Sequence, residues 1–245
     1  RRVATSTLNG VACSANSNCI TVTVNDLTPG SIAADQTICS GGDPAAFTSV
    51  AATGSGTITY QWQSSTTGCN GTFSNIAGAT LATYDVPSGL TVTTSYRRVA
   101  TSTLNGVACS ANSNCITVTV NDLTPGSIAA DQTICSGGDP VAFTSTTAGT
   151  GGGTISYRWE SAVSPFSTWN TISGANLYVY DVPNGLTMTT RYRRITRSLL
   201  NSVTCESAPT SEIEVTVSSP ATIANAGVDQ NICGTSGQLA GNTAI

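Results

Sequence analysis

"GTITYQWQSS", residues 56–65, alternates apolar and polar side chains along its length, and this alternation decides the fold. In an extended strand Ile58, Tyr60 and Trp62 fall on one face, and the polar residues between them fall on the other. A second stretch, "CITVTVN" at 115–121, has the same two-residue period. Short strands of this kind with frequent turn signals are typical of antiparallel sandwiches. The sequence therefore predicts an all-β fold.

The sequence also repeats itself with a period of 96 residues. Residues 1–44 recur without change at 97–140, and a diverged third copy begins with "RRITRSLLNSVTCES" at 193–207. Polar breaks that contain proline follow the strands ending near residues 25, 121 and 218, and such breaks are natural linkers. We expect the C-terminal part of one repeat at 1–26, complete repeats at 27–122 and 123–218, and the N-terminal part of the next repeat at 219–245. The chain is thus expected to be a window on a longer array.

Four aromatic residues recur at matching places in the two complete repeats. A tryptophan lies on the third strand of each repeat, and a tyrosine lies on the penultimate strand. These residues are Trp62, Tyr96, Trp159 and Tyr192. Together with the strand pattern they favour an immunoglobulin-like arrangement, in which we expect them to pack in the core rather than to bind a ligand. The predicted architecture is an extended array of tandem immunoglobulin-like β-sandwiches.

The cysteines of the two complete repeats can be compared directly. Cys39 and Cys109 of the first repeat align with Cys135 and Cys205 of the second. Cys69 and Cys115 have no cysteine counterparts, and Ser211 falls where the period would place one for Cys115. Bonded partners tend to be lost together. We therefore expect the bonds Cys39–Cys109, Cys69–Cys115 and Cys135–Cys205.

Three further cysteines lie in the partial repeats at the two ends. We expect Cys13, Cys19 and Cys233 to bond with partners outside the chain. Local bonds from Cys13 to Cys19 and from Cys109 to Cys115, each across a hairpin, are the alternative. A zinc site is disfavoured because no CxxC pair is present. Disulfides would place the protein in an oxidising, extracellular setting.

The composition excludes several classes of function. Only 9% of the residues are charged, all nine cations are arginine, and histidine is absent. Without histidine or lysine there is no Ser-His-Asp machinery, imidazole metal site or Schiff base. The net charge of −4 argues against nucleic acid as a partner, and no apolar run approaches the ~18 residues of a membrane span. The sequence predicts a protein that is not an enzyme.

Several long motifs resemble a known group of surface proteins. They are "DQTICSGGDPAAFTS", "GTITYQWQSS", "IAGATLATYDVPSGLTVTTSYRRVATS" and "NCITVTVN". They closely resemble the tandem immunoglobulin-like repeats of very large cell-surface proteins from Bacteroidota, such as giant adhesins and gliding-type proteins. The resemblance covers nearly the whole chain. It implies export by type IX secretion, a C-terminal sorting domain elsewhere, and a role in a stalk, filament or adhesin, with no catalytic residues.

Two groups of charged residues call for interpretation. Neighbouring arginines in the "YRR" motif, Arg97 and Arg98, must face opposite sides of a strand. We expect them to pair with acidic residues or shield the sheet rather than to bind acidic polysaccharide. Aspartates gather near the repeat junctions, where Ca²⁺ could bind; turn and capping roles are the preferred interpretation, and no cofactor is predicted. The aspartates are Asp26, Asp35, Asp43, Asp122, Asp131 and Asp139.

These observations predict a non-catalytic structural or adhesive segment of a long extracellular surface protein or filament. Its partners would be neighbouring repeats of the same chain, and also like filaments, surfaces or glycans. The loop after each tryptophan strand differs sharply between the repeats and is a candidate for variable contacts. The alternative is an accessory or carbohydrate-binding module of a secreted polysaccharide-degrading enzyme, although aromatic residues are only 6% of the chain.

Overall fold

A computed structural model describes residues 1–219, 223, 225–229, 231–238 and 241. Eleven of the 27 residues in the predicted segment 219–245 therefore lie outside the described residues. The described residues form strands and turns, and the predicted all-β, antiparallel immunoglobulin-like fold is confirmed. Across this part of the chain no helix is long and apolar enough to cross a membrane.

Twenty strands follow one another along the described part of the chain. The first twelve are β1 Val3–Leu8, β2 Val11–Asn16, β3 Leu27–Thr28, β4 Ser31–Ala33, β5 Gln36–Cys39, β6 Thr48–Val50, β7 Thr53–Gly54, β8 Thr57–Ser65, β9 Ser74–Asn75, β10 Thr94–Leu104, β11 Val107–Asn112 and β12 Ile116–Asn121. The other eight are β13 Ser127–Ala129, β14 Gln132–Cys135, β15 Thr144–Thr147, β16 Thr154–Val163, β17 Asn170–Thr171, β18 Thr190–Leu200, β19 Val203–Glu206 and β20 Ile213–Ser218.

Each repeat builds its own six-stranded sheet, and the two sheets have the same topology. In the first repeat the strand order is β5-β12-β10-β8-β9, and β11 pairs with the far end of β10. In the second repeat the order is β14-β20-β18-β16-β17, and β19 pairs with β18. Short two-stranded sheets accompany them, formed by β3 with β7, β4 with β6, and β13 with β15. The repeated topology explains why the two sequences share one hydrophobic pattern.

The core of the first repeat is an aromatic cluster around Trp62. Its ring centroid lies 5.8 Å from that of Phe47, which in turn lies 5.2 Å from Tyr96. The indole nitrogen donates a hydrogen bond to the Leu81 carbonyl at 2.9 Å, so the one polar atom of this buried side chain has a partner. The bond also fixes residues 81–86, "LATYDV", to the core. This stretch forms an isolated β-bridge at Tyr84 and is not a strand.

The second repeat reproduces this cluster. Trp159 is fully buried, its ring lies 5.9 Å from Phe143, and its nitrogen donates to the Leu177 carbonyl at 2.9 Å. Phe143 lies 5.0 Å from Tyr192. Burial raises the pKa of Tyr192 to about 12. All four recurring aromatic residues are therefore core residues.

Each central strand ends in a hairpin that the alternation of apolar and polar residues does not predict. In the first repeat β10 turns at Asn105 and Gly106, which have φ values of 50° and 79°, and returns as β11. An Asn-Gly pair with two positive φ angles is the favoured two-residue hairpin turn, so "NG" was the available signal. In the second repeat Asn201 and Ser202 hold the same conformation.

The described chain divides into two compact units. One comprises residues 1–36 and 42–119, and the other comprises residues 37–41 and the described residues from 120 onward. The segment 37–41 of the first sequence repeat thus belongs to the second compact unit. The assignment of these five residues, which include Cys39, is central to the pattern of disulfide bonds.

Candidate functional site

The first disulfide bond lies within the first compact unit. Cys69, in the loop after the tryptophan strand, is bonded to Cys115, which immediately precedes β12, with their Cα atoms 5.8 Å apart. This is the bond expected from the joint absence of both cysteines in the second repeat. It ties a loop of irregular structure to the central sheet, and the local alternative, Cys109–Cys115, does not form.

The second disulfide bond corrects the expected pairing. Cys39 is bonded to Cys205, 166 residues further along, with a Cα–Cα distance of 5.4 Å. Both belong to the second compact unit, because that unit includes residues 37–41. The predicted bonds Cys39–Cys109 and Cys135–Cys205 are therefore wrong.

The strand register gives the physical reason. In the second repeat Cys135 faces Ser218 on β20, and Cys205 faces Ser198 on β18. The pair that Thr190 forms with β20 gives a common reference point. From that pair, Ser218 lies three positions toward one end of the sheet, and Ser198 lies eight positions toward the other end. Eleven positions in a strand span about 36 Å. A disulfide needs Cα atoms within about 7 Å. The two aligned cysteines of one repeat lie at opposite ends of its sheet and cannot bond to each other.

Five cysteines are thiols in this structure. Cys109 is partly exposed, and Cys13, Cys19, Cys135 and Cys233 are exposed. The alternative bond between Cys13 and Cys19 is absent. The expectation that Cys13, Cys19 and Cys233 pair outside the chain stays a prediction.

A buried asparagine supports the hairpin that carries Cys205. Asn121 is fully buried; its side-chain nitrogen donates to the Ser198 carbonyl at 3.1 Å, and its side-chain oxygen accepts from the Gly152 amide at 3.1 Å. The Ser198 hydroxyl donates to the same oxygen at 3.1 Å. Next to it, Ser40 donates its amide to the Asn121 carbonyl at 3.4 Å, which holds the Cys39 strand beside the hairpin.

The same arrangement of an asparagine and a hairpin occurs in the first unit. Asn25 donates from its side-chain nitrogen to the carbonyls of Ser102 and Val107 at 2.8 and 3.0 Å, and its oxygen accepts from the Ser102 hydroxyl at 2.7 Å. Ser102 faces Cys109 across the hairpin, as Ser198 faces Cys205. Asn25 therefore occupies beside Cys109 the place that Asn121 occupies beside Cys205.

The second repeat replaces its missing disulfide with ion pairs. Arg191 donates to Glu214 at 2.8 Å and to Glu212 at 3.4 Å, and its guanidinium lies 4.1 Å above the ring of Phe166. Phe166 belongs to the loop after the tryptophan strand, so this contact joins that loop to the sheet. The register aligns Glu212, not Ser211, with Cys115, because one additional residue precedes β20.

A shared carboxylate links two strands of the second repeat. Glu160 on β16 accepts a hydrogen bond from Arg193 on β18 at 2.7 Å and is also paired with Arg158. Burial acts to raise the pKa of Glu160, but the hydrogen bonds from the two arginines outweigh it and hold the pKa below its usual value. Its counterpart in the first repeat is Gln63, which accepts from Arg97 at 2.7 Å.

The second arginine of each "YRR" motif is buried without an acidic partner. Arg98 is fully buried and donates to the backbone carbonyls of Val50 at 2.7 Å and Pro29 at 3.2 Å. Its guanidinium lies 4.5 Å from the centre of the Tyr60 ring, and burial lowers its pKa. Arg194 has the same surroundings in the second repeat. The expected pairing with acidic residues is not found for Arg97, which binds Gln63, and is wrong for Arg98, because backbone carbonyls surround its guanidinium. In the second repeat Arg193 does pair with Glu160.

Two of the junction aspartates act as hydrogen-bond acceptors for the backbone. Asp35 accepts from the Thr117 amide at 2.7 Å, and Asp131 accepts from the Glu214 amide at 2.8 Å. Among the described residues, no group of three or more acidic, cysteine or histidine side chains is close enough to hold a metal ion. The arrangement therefore favours structural roles for these carboxylates.

The geometry defines a class: tandem immunoglobulin-like β-sandwich repeats. The chain belongs to the family described as Domain of unknown function (DUF8696), whose model matches residues 28–122 and 124–219.

Several solved structures are similar to the chain. The three N-terminal domains of the bacteriophage RB49 Highly Immunogenic Outer Capsid protein (Hoc) are 12% identical, with a TM-score of 0.46, over 79% of this chain and 71% of that one. Titin domains A168-A170 are 17% identical, with a TM-score of 0.42, over 87% of this chain and 73% of the titin chain. A variant of titin domains I67-I69 is 12% identical, with a TM-score of 0.42, over 81% of this chain and 67% of the titin chain. A search of curated proteins finds no match.

Proposed function

We propose that this chain is a load-bearing segment of a long extracellular surface protein, in which the repeats provide reach and cohesion. The observation that carries the proposal is the Cys39–Cys205 bond, which encloses most of the chain with a sequence separation of 166. When such a chain is pulled at its ends, tension passes through the bond and bypasses the enclosed residues. A segment built to transmit force without lengthening gains directly from this connection.

The cross-links inside the repeats support the same role. The Cys69–Cys115 bond holds one loop of the first repeat, and the contacts of Arg191 hold the corresponding loop of the second. Disulfides persist in oxidising compartments, which is consistent with an extracellular location. Placement at the surface of a cell, in Bacteroidota with type IX export, rests on the sequence resemblance.

The carbohydrate-binding alternative is less well supported by the aromatic side chains. A sugar-binding platform needs an open aromatic face. The rings of Phe73, Phe166 and Trp169 each have an arginine guanidinium within about 4 Å of the centroid. These arginines occupy the faces that a sugar would need, and the loops are thereby tied to their own sheets.

Single-molecule stretching of the full chain tests the load-bearing role. In oxidising buffer we expect the residues enclosed by Cys39–Cys205 to stay unextended, and in reductant we expect about 570 Å of additional extended chain. In oxidising buffer a Cys39→Ser variant should lose the bypass but gain only about 410 Å, because the Cys69–Cys115 bond still closes a separation of 46 within the span of 166. A Cys69→Ser/Cys115→Ser variant should keep the bypass. Equal extension with and without reductant would contradict the role.

The extracellular location is tested separately. Antibodies raised against the chain should label intact cells of the source organism without permeabilisation. Labelling that requires permeabilised cells would contradict the surface location and leave the mechanical result unaffected.

A further inference from the structure

The bond between Cys39 and Cys205 joins cysteines of two different sequence repeats. Cys39 belongs to the repeat at 27–122, and Cys205 belongs to the repeat at 123–218. Each repeat carries both types of cysteine, one on the short strand β5 or β14 and one on the hairpin strand β11 or β19. The bond therefore uses one cysteine of each repeat and leaves the other, Cys109 or Cys135, as a thiol.

We propose that Cys39–Cys205 is one member of a regular series of disulfides between successive repeats, and that the hairpin bearing Cys109 is the attachment site for a preceding copy of this repeat. The partner is the cysteine on that copy's short strand, equivalent to Cys39. The bond forms when the two thiols lose two protons and two electrons. A disulfide oxidant such as oxidised glutathione takes them up and leaves as two thiols.

The contacts around Cys109 carry the proposal. Beside Cys205, the buried Asn121 binds Ser198, and its carbonyl accepts from Ser40, the residue after Cys39. Beside Cys109, Asn25 binds Ser102 through the same pair of atoms. By analogy, the surface beside Asn25 is where the short strand of the preceding copy, to which Asn25 belongs, would bind. Cys109 is partly exposed at this surface.

The sequence supplies the same connection at both places. Residues 1–26, which lead into the first complete repeat, are identical to residues 97–122, which lead into the second. The alternative bond within one repeat is excluded by the ~36 Å between the two cysteine positions. The two cysteines of one repeat are thus too far apart to bond to each other. Cys109 and Cys135 are both at least partly exposed, so a neighbouring copy can contact them.

At the other end the proposal applies to Cys135 with one difference. The register places Ser218 where the first repeat has Asn121. A following copy would thus be held by the bond to Cys135 without the asparagine. The Cys109 side is accordingly the stronger prediction and the one to test.

The test lengthens the full chain by one additional copy of residues 27–122 inserted after residue 26, which keeps both natural connections. We expect a new linkage between a Cys39-containing peptide and a Cys109-containing peptide in non-reducing peptide mapping. The present chain should lack it and should show Cys39–Cys205 instead. The Cys39–Cys205 and Cys69–Cys115 linkages report in both proteins that the repeats have folded.

A matched pair of variants identifies which copies are joined. In the lengthened chain, Cys109→Ser in the downstream copy should abolish the new linkage, and Cys109→Ser in the upstream copy should leave it. The reverse result would show bonding within a repeat and overturn the proposal, as would the absence of the linkage in a lengthened chain that keeps the other two bonds.

An independent check uses the chain at its present length. Cys39→Ser should leave Cys205 as a thiol, which reacts with a maleimide after the variant is unfolded without reductant, because Cys205 is buried in the fold. If Cys135 bonds with Cys205 in that variant, the pairing is within a repeat and the series does not exist. None of these measurements applies force, so they are independent of the proposed load-bearing role.

Discussion

Cys115 and Glu212 hold the same position in the two central sheets. Each directly precedes the isoleucine that faces the core tyrosine, Ile116 opposite Tyr96 in one sheet and Ile213 opposite Tyr192 in the other. In the first repeat this position makes a covalent bond to the loop after the tryptophan strand, and in the second it makes an ion pair with Arg191. One architectural need, holding that loop to the sheet, is met by two kinds of chemistry.

The covalent solution should make the first unit sensitive to reductant. We predict that Cys69→Ser/Cys115→Ser lowers the free energy of unfolding of the first unit by about 4 kcal/mol, because the bond closes a loop with a sequence separation of 46. Urea unfolding followed by residue-resolved NMR peaks measures each unit separately. The second unit is the internal control, and an equal loss in both units would contradict a local role for the bond.

The second repeat has a further group of ion pairs, around Glu160, that should make the second unit sensitive to acid. The pKa of Glu160 is lowered in the folded state, so its stabilising contribution is present above the unfolded value of about 4.3 and is lost as the pH falls through the folded value. We predict that Glu160→Gln destabilises the second unit by about 2 kcal/mol at neutral pH. Below the folded pKa the difference between wild type and variant should vanish.

Nature supplies the control for that experiment. Gln63 already occupies the position of Glu160 in the first repeat and accepts from Arg97. The Glu160→Gln substitution should therefore leave the free energy of unfolding of the first unit unchanged at every pH. NMR-monitored unfolding between pH 7 and acid measures this. A variant whose second unit remains as acid-sensitive as the wild type would rule out Glu160 as the source.

The strand pattern could be predicted from the sequence, because burial on one face leaves a two-residue period. The Trp62 strand and the strand after Cys115 follow this pattern closely. The hairpin at Asn105 and Gly106 was also within reach of the sequence, through its turn residues. The alternation in "LATYDV", residues 81–86, would suggest a strand, but the structure has a bend there, anchored by the indole of Trp62.

The disulfide pattern could be predicted only in part. Joint loss identified Cys69 and Cys115 because both cysteines lie in one repeat and serve one bond. Cys39 and Cys109 have counterparts in the second repeat for a different reason: Cys39 bonds across the sequence period to Cys205, and we propose that Cys109 bonds to a preceding copy. Retention of two cysteines in every copy does not distinguish bonds inside a repeat from bonds between repeats. Only the strand register, which places them at opposite ends of a sheet, separates the two cases.

The depth of an arginine is also invisible in the sequence. Arg97 and Arg98 are adjacent and chemically identical, yet Arg98 is fully buried against backbone carbonyls while Arg97 contacts Gln63 and Phe73 near the surface. We predict that Arg98→Met lowers the free energy of unfolding of the first unit by about 3 kcal/mol, because buried carbonyls lose a charged donor. Arg97→Met is the matched control and should cost less than about 1 kcal/mol. Equal effects in urea unfolding would contradict the assignment.

The two asparagines beside the hairpins allow each unit to be perturbed on its own. Asn121 is fully buried and satisfies the Ser198 carbonyl, the Ser198 hydroxyl and the Gly152 amide. We predict that Asn121→Ala destabilises the second unit by about 2–3 kcal/mol, because buried polar groups lose their partner. Amide hydrogen exchange should accelerate in β18 and β19 and remain unchanged in β10 and β11.

Asn25→Ala is the reciprocal variant and should have the opposite distribution. Asn25 contacts Ser102 and Val107, so exchange should accelerate in β10 and β11 while β18 and β19 keep their protection. Because Asn25 is only partly buried, water can replace part of its bonding, and we expect a smaller loss of about 1 kcal/mol. If either substitution loosened both hairpins equally, the asparagines would not be acting locally, and the equivalence between the Cys109 and Cys205 positions would lose its structural basis.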